Sequence, residues 1–347
     1  MSSSPRSKQF FTHEFSYPIY ALSWSNRKDE PFRLATCSFV ENNQNEIQIL
    51  KLRDSEQGEQ DQDTHDENYS VPDGPDFNVT HTISHEYPAT KLMFMPDLST
   101  NREDLLISSG DGLSIWNVPK DSAELEQRSH LSTKHDSLSA PLTSFDWCSA
   151  DLSQVGTASI DTMVTIWDIA VEKSKARLIA HDKEVYDIAF QDQFVFGTVG
   201  ADGSARMFDL RDLQISTIVH ETNAPLLKIS WNQQSPNFFA TFEMDSPKVT
   251  IMDIRNMESP YLVCELDNGH SAPVNAIQWA PHSWCHLSSA GDDSQVLIWD
   301  LHKIPKPVEE PILSYSAESS VQQLQWSTLH PDWIAIASEK QLQLLRV

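Results

Sequence analysis

Histidine beside aspartate is the pairing that proton transfer and metal binding use most often, and this 347-residue sequence contains it repeatedly. His85, His181, His220 and His270 each stand just ahead of an alternating apolar run. Aspartates follow at a regular place. Asp161, Asp202, Asp245 and Asp293 lie six residues before Trp167, Phe208, Ile251 and Trp299, and Asp111 lies five before Trp116. A catalytic or metal centre is built once, whereas these groups recur along the chain, so they read as part of the fold.

Two other constellations stand out. His282-Ser283-Trp284-Cys285-His286 has the residue types of a zinc site, but it falls between two expected strands and no second cluster completes a tetrahedral set. No metal or cofactor is therefore expected. Asp209-Leu210-Arg211 and Asp253-Ile254-Arg255 place the same Asp-x-Arg after two consecutive repeats. The aspartate and arginine share a face and can pin the turn beneath them. Alternatively, they present two guanidinium anchors on one rim, because the planar fork of arginine is preorganised for interfaces. Asp209, Arg211, Asp253 and Arg255 are accordingly the candidate interaction residues. No G-x-S-x-G elbow, G-x-x-x-x-G-K loop or G-x-G-x-x-G fingerprint is present. With 10 glycines in the whole chain, phosphate-cradling loops are not expected, and neither is an enzyme.

The elements that carry these groups repeat. Val185 to Phe190 followed by Phe196 to Asp209 has the same layout as Val274 to Trp279 followed by His286 to Asp300. Each is an alternating strand ending in an aromatic, a short second strand, an Asp-bearing turn and a third strand ending in an aromatic plus Asp. The first-strand aromatic falls at Trp24, Phe94, Trp147, Phe190, Trp231, Trp279 and Trp326, with gaps of 70, 53, 43, 41, 48 and 47 residues. The last four match the spacing of WD-repeat blades, so seven anchors predict an all-β, seven-bladed WD-repeat β-propeller spanning residues 1–347 as a single domain. In WD repeats the histidine bonds the turn aspartate, and a serine or threonine and the tryptophan extend the network. The full set is clearest in the sixth repeat, as His270, Ser288 or Ser289, Asp293 and Trp299.

The last repeat ends one strand short, and Gln9 to Glu14 is the natural strand to complete it and close the ring. The first long gap holds Asp54 to Asp76, with nine acidic residues and no Lys or Arg. Such a segment cannot bury enough apolar surface to order itself, so an acidic disordered loop over 54–78, inserted in the first blade, is expected. A shorter polar insert is expected around Asp121 to Ser139. With 25 basic and 50 acidic residues the net charge is −25, which repels phosphate backbones and anionic membranes. No secretory signal or membrane-length apolar run is visible. The cysteines (Cys37, Cys148, Cys264, Cys285) are scattered, as suits a reducing compartment.

More specific blocks sharpen the reading. They include Ala140-Pro141-Leu142-Thr143-Ser144-Phe145-Asp146-Trp147, Leu178-Ile179-Ala180-His181-Asp182-Lys183-Glu184-Val185 and Pro331-Asp332-Trp333-Ile334-Ala335. With them the chain resembles the WD-repeat family of the plant Transparent Testa Glabra protein and its animal kinase-scaffold relative. The resemblance implies a monomeric, non-catalytic scaffold of nucleus and cytoplasm. Its implied partners are MYB and basic helix-loop-helix transcription factors or DYRK- and HIPK-type kinases. The family is also grouped with receptors of cullin-4 ubiquitin ligases, and the paired Asp-x-Arg elements resemble their adaptor-binding motif. That implies adaptor contacts at Arg211 and Arg255 and, as an alternative function, a substrate receptor.

Overall fold

Alternation of apolar and polar residues, β-branched side chains and closely spaced turns leave this chain only one economical solution, sheets stacked face to face. The computed structural model describes residues 10–41, 44–53, 76–119, 125–132, 140–256 and 260–347. They form seven four-stranded antiparallel sheets, six of them built from four consecutive strands. The innermost strands are Ile19–Trp24, Leu92–Phe94, Leu142–Trp147, Val185–Phe190, Leu226–Trp231, Val274–Trp279 and Val321–Trp326. Each ends on one of the seven aromatic anchors. The chain is therefore an all-β, seven-bladed propeller.

The seventh sheet is closed by Phe10–Glu14, which pairs with Gln341–Arg346 in the register Phe10 to Leu345 through Glu14 to Gln341. The closing strand also packs. Phe11 stacks on Trp333 at 5.5 Å, and Phe15 joins Leu22, Trp24, Leu34, Leu342 and Leu344 in a cluster between the last and first blades. The other apolar clusters likewise lie between neighbouring sheets. Phe242, Ile251 and Cys264 of blade five meet Val274, Trp279 and Trp299 of blade six, for example.

Polar bonds stitch the ring where the blades converge. The side chain just before an anchor accepts the N–H of the next blade's anchor at four junctions: Ser23 from Phe94, Asp146 from Phe190, Gln278 from Trp326, and Gln325 from Trp24. Blades one and two are further joined by a buried ion pair, with Arg33 NH2 2.5 Å from Asp104 Oδ2.

Three features depart from the sequence reading. Most of the expected acidic loop, residues 54–75, lies outside the described residues, but Phe77 and Asn78 belong to the strand Phe77–His85, so the insert ends earlier than 78. Phe77 is 1% exposed against the closing cluster, which draws this segment into the sheet. The second expected insert, Asp121 to Ser139, contains the outer strand of blade two, Glu126–Leu131; its remaining residues apart from Leu125 and Ser132 lie outside the described residues. Finally, Met252, not Ile251, faces Phe239 as Trp299 faces Leu287. The turn ahead of it has five residues where blades four and six have three.

Candidate protein-interaction rim

Antiparallel strands put alternate connections at opposite ends of a blade, so the two Asp-x-Arg elements emerge at one end of the ring. Asp209 closes the strand Ser204–Asp209 and Asp253 closes Val249–Asp253. In each, the middle residue faces inward: Ile254 is buried, and Leu210 packs against the cluster between blades three and four. The aspartate then turns the chain. Asp209 Oδ1 accepts the N–H of Arg211 and Asp253 Oδ1 that of Arg255, both at 2.9 Å. The guanidinium folds back on the same carboxylate, with Arg211 NH2 and Arg255 NH2 each 2.5 Å from an Oδ2. It also lies over a ring, Phe194 at 5.1 Å and Phe238 at 5.8 Å. Hydrogen bonds from Arg211 hold the Asp209 carboxyl below its ordinary range. Burial works against the charge of Asp253, yet Arg255 still holds that carboxyl low.

The arginines are restrained but open, with side chains 63% and 62% exposed. The neighbouring blades separate the turn from the cation. In blade three, Asp168 Oδ1 accepts the N–H of Ala170 at 3.0 Å with no arginine. In blade six, Asp300 does the same for His302 at 3.0 Å. The aspartate makes the turn without an arginine, its other oxygen meeting Lys175 at 3.3 Å in blade three and His302 Nδ1 at 2.6 Å in blade six. Arg211 and Arg255 add a cation to that turn in blades four and five. Blade one has Arg53 at the same place, but after Lys51 instead of an aspartate. Loops near blades four and five expose Phe194 and Trp284. Rigid arginine with aromatic neighbours is the composition that concentrates binding energy at protein interfaces. The rings beneath the arginines had no signal in the sequence, because Phe194 precedes and Phe238 opens a strand that only antiparallel pairing brings beside the motif.

The histidines lie at the other end. His270 Nδ1 donates to Asp293 at 3.0 Å, while its Nε2 accepts from Ser289 Oγ at 2.8 Å, which in turn accepts from Trp299 Nε1 at 2.9 Å. Every buried polar atom in this relay has a partner. Blade four repeats it with His181 bonded to Asp202 at 2.9 Å and to Thr198 at 2.8 Å, Phe208 standing where a tryptophan would donate. Blade two keeps His85 to Ser108 at 3.1 Å and Trp116 to Ser108 at 2.9 Å, but there His85 turns its other nitrogen to the Tyr87 carbonyl. Asp111 instead lies 3.7 Å from His130. In blade five Asp245 takes a left-handed backbone, φ 58°, in the lengthened turn. Among the described residues it makes no bond to His220.

Comparison with known proteins agrees with this architecture. A family model for the WD domain, G-beta repeat, matches residues 261–300. The DDB1- and CUL4-associated factor 7 homolog of Dictyostelium discoideum is 46% identical over 98% of this chain and 99% of its own length. The chain belongs to that WD-repeat family. An uncharacterized WD repeat-containing protein of Schizosaccharomyces pombe is 37% identical, over 89% of this chain and 73% of its own. A WD repeat-containing protein of Saccharomyces cerevisiae is 33% identical over 84% of this chain and 58% of its own length.

Within this member of the family, the centre of the ring is a cavity of about 360 Å³ whose lining includes Lys91, Asp146, Asp187 and Lys228. Charge is compensated locally: Asp187 accepts from Ser144 Oγ at 2.6 Å and lies 3.9 Å from Lys91 Nζ. Burial pushes the Asp146 carboxyl up to about 6, against the pull of Lys91 and the Phe190 N–H. A raised carboxyl pKa means that the folded chain holds the proton more tightly than the unfolded chain. Stability therefore falls as pH rises from about 4 to about 6, and the penalty persists above. Asp146→Asn keeps an oxygen acceptor without the charge. It is expected to be more stable than the parent at pH 8 by on the order of 1–2 kcal/mol, a difference that vanishes near pH 4. Paired denaturant melts measure this, and a variant less stable at pH 8 contradicts it.

Proposed function

We propose that this chain is a substrate receptor of a cullin-4 type ubiquitin ligase, and that Arg211 and Arg255 anchor the ligase adaptor. The observation that carries the reading is the persistence of the Asp turn at Ala170, where no arginine is needed. Since the turn does not require them, the two exposed, ring-backed guanidinium groups are explained by something they bind. The similarity to a DDB1- and CUL4-associated factor supports the same reading. The work is binding, not catalysis: the repeated His–Asp pairs are engaged in relays inside blades four and six, where they hold the sheet.

A receptor needs a second surface, and the opposite end offers one. Tyr20 and Phe39 lie there with ring centroids 5.1 Å apart, 40% and 43% exposed. Partners of the kinase or transcription-factor kind implied by the family resemblance would dock at that end while the arginine rim holds the adaptor, in nucleus and cytoplasm. The scaffold and receptor readings are then two ends of one disc.

Titration of the purified chain with purified adaptor tests the reading. A 1:1 complex with Kd at or below about 1 µM is expected. Absence of binding at about 50-fold higher adaptor concentration contradicts it.

A further inference from the structure

We propose that Cys285, His286 and Asp300 form a zinc-binding site on the adaptor-rim side of blade six. In the chain order only Cys285 and His286 are adjacent; the fold supplies the third group. His286 pairs directly with Asp300 across two antiparallel strands, so their side chains project from the same face of the sheet. Cys285 precedes that strand, its carbonyl held by the Leu301 N–H at 2.7 Å. A sulfur, an imidazole nitrogen and a carboxylate oxygen thereby come within 4.8 Å of one another.

Tetrahedral zinc, with bonds of roughly 2.0–2.3 Å, sets its ligand atoms roughly 3.3–3.8 Å apart. The remaining closure is small for three partly exposed side chains. Asp300 is already oriented, because His302 donates to it twice, from Nδ1 at 2.6 Å and from its backbone N–H at 3.0 Å. A hydrogen-bonded partner of this kind fixes a ligating carboxylate and is usual in the outer shell of metal sites. The donor set selects the metal: thiolate with imidazole favours zinc over magnesium or calcium, and three protein ligands leave a fourth position for water or a partner's side chain. The loop that carries the site is tied to blade five, where Asn232 Nδ2 donates to the Trp284 carbonyl at 2.6 Å.

The chain's other cysteines provide the assay. Cys37, Cys148 and Cys264 are buried, whereas Cys285 is partly exposed. In the chelator-stripped full chain one thiol should therefore react quickly with a maleimide, and Cys285→Ser should abolish that fast phase. Stoichiometric zinc chloride is expected to slow the reaction by about tenfold or more, and magnesium chloride to leave it unchanged. His286→Gln and Asp300→Asn, each with the parent's circular dichroism and melting temperature, should keep the fast thiol and lose the zinc protection. Asp300 closes a core strand, so His286→Gln carries the test if the Asp300 variant unfolds. A parent rate insensitive to zinc overturns the proposal, as does equal protection of His286→Gln, because either outcome removes the shared site.

Discussion

Removing residues 1–15 should lower the melting temperature by roughly 10 °C or more, or leave a chain that aggregates. The deletion strips a strand from the last blade and exposes the backbone edge of Gln341–Arg346, which then has no partner. It also takes Phe11 and Phe15 out of the cluster that seals the last blade to the first, where Leu342 and Leu344 are fully buried. Truncating one buried phenylalanine costs about 3–5 kcal/mol, and here buried Phe15 and half-buried Phe11 go together with the closing strand. A ring has no terminal blade to sacrifice, so an opening at this seam loosens both neighbours. Scanning calorimetry of the parent and the deleted chain measures the effect. An unchanged melting temperature would mean that the seam holds without the N-terminal strand.

Charge reversal at the rim should act on binding and spare the fold. Arg211→Glu with Arg255→Glu is expected to weaken adaptor binding by about 100-fold or more, since buried arginine anchors commonly contribute 2 kcal/mol or more each. The melting temperature should change little with Arg211→Glu and fall by only a few degrees in the double variant, far less than a global loss of fold. Both guanidinium groups are more than 60% exposed, and the exposed Arg211 pair contributes about 0–1 kcal/mol. Arg255→Glu costs more, because its partner Asp253 is buried and loses its counter-charge. The turns themselves should survive, because Asp168 builds the same turn over Ala170. Each single reversal should lose part of the affinity, and the loss should shrink at high salt as screening weakens the new repulsion. Titrations of the three variants at two salt concentrations measure this. Undiminished affinity in the double variant would assign both Asp-x-Arg elements to the fold alone.

What could be read in advance divides along a physical line. The seven anchors were visible because each ends a strand buried against both neighbouring blades, a place that demands a large apolar side chain. The closing strand was visible because the last repeat lacked one. Spacing failed where the backbone changed length: the turn at Asp245 gained two residues, which displaced that aspartate and put Met252 in the tryptophan's place. Groups joined through space left no trace in the order of the chain. Ser23, Asp146, Gln278 and Gln325 bond across blade junctions, and Asp300 reaches Cys285 and His286 by strand pairing. The Asp-x-Arg elements were legible as a motif, but only the fold shows Asp168 building the same turn over Ala170 without an arginine.

The central claim is most directly tested by purifying the tagged chain from its native cells at moderate salt and identifying its companions by mass spectrometry. Adaptor and cullin should appear in near-stoichiometric amounts with the parent chain and disappear with the Arg211→Glu, Arg255→Glu variant, while partners at the opposite end remain. Recovery of kinases or transcription factors without adaptor, or of adaptor with both chains equally, would contradict the receptor account.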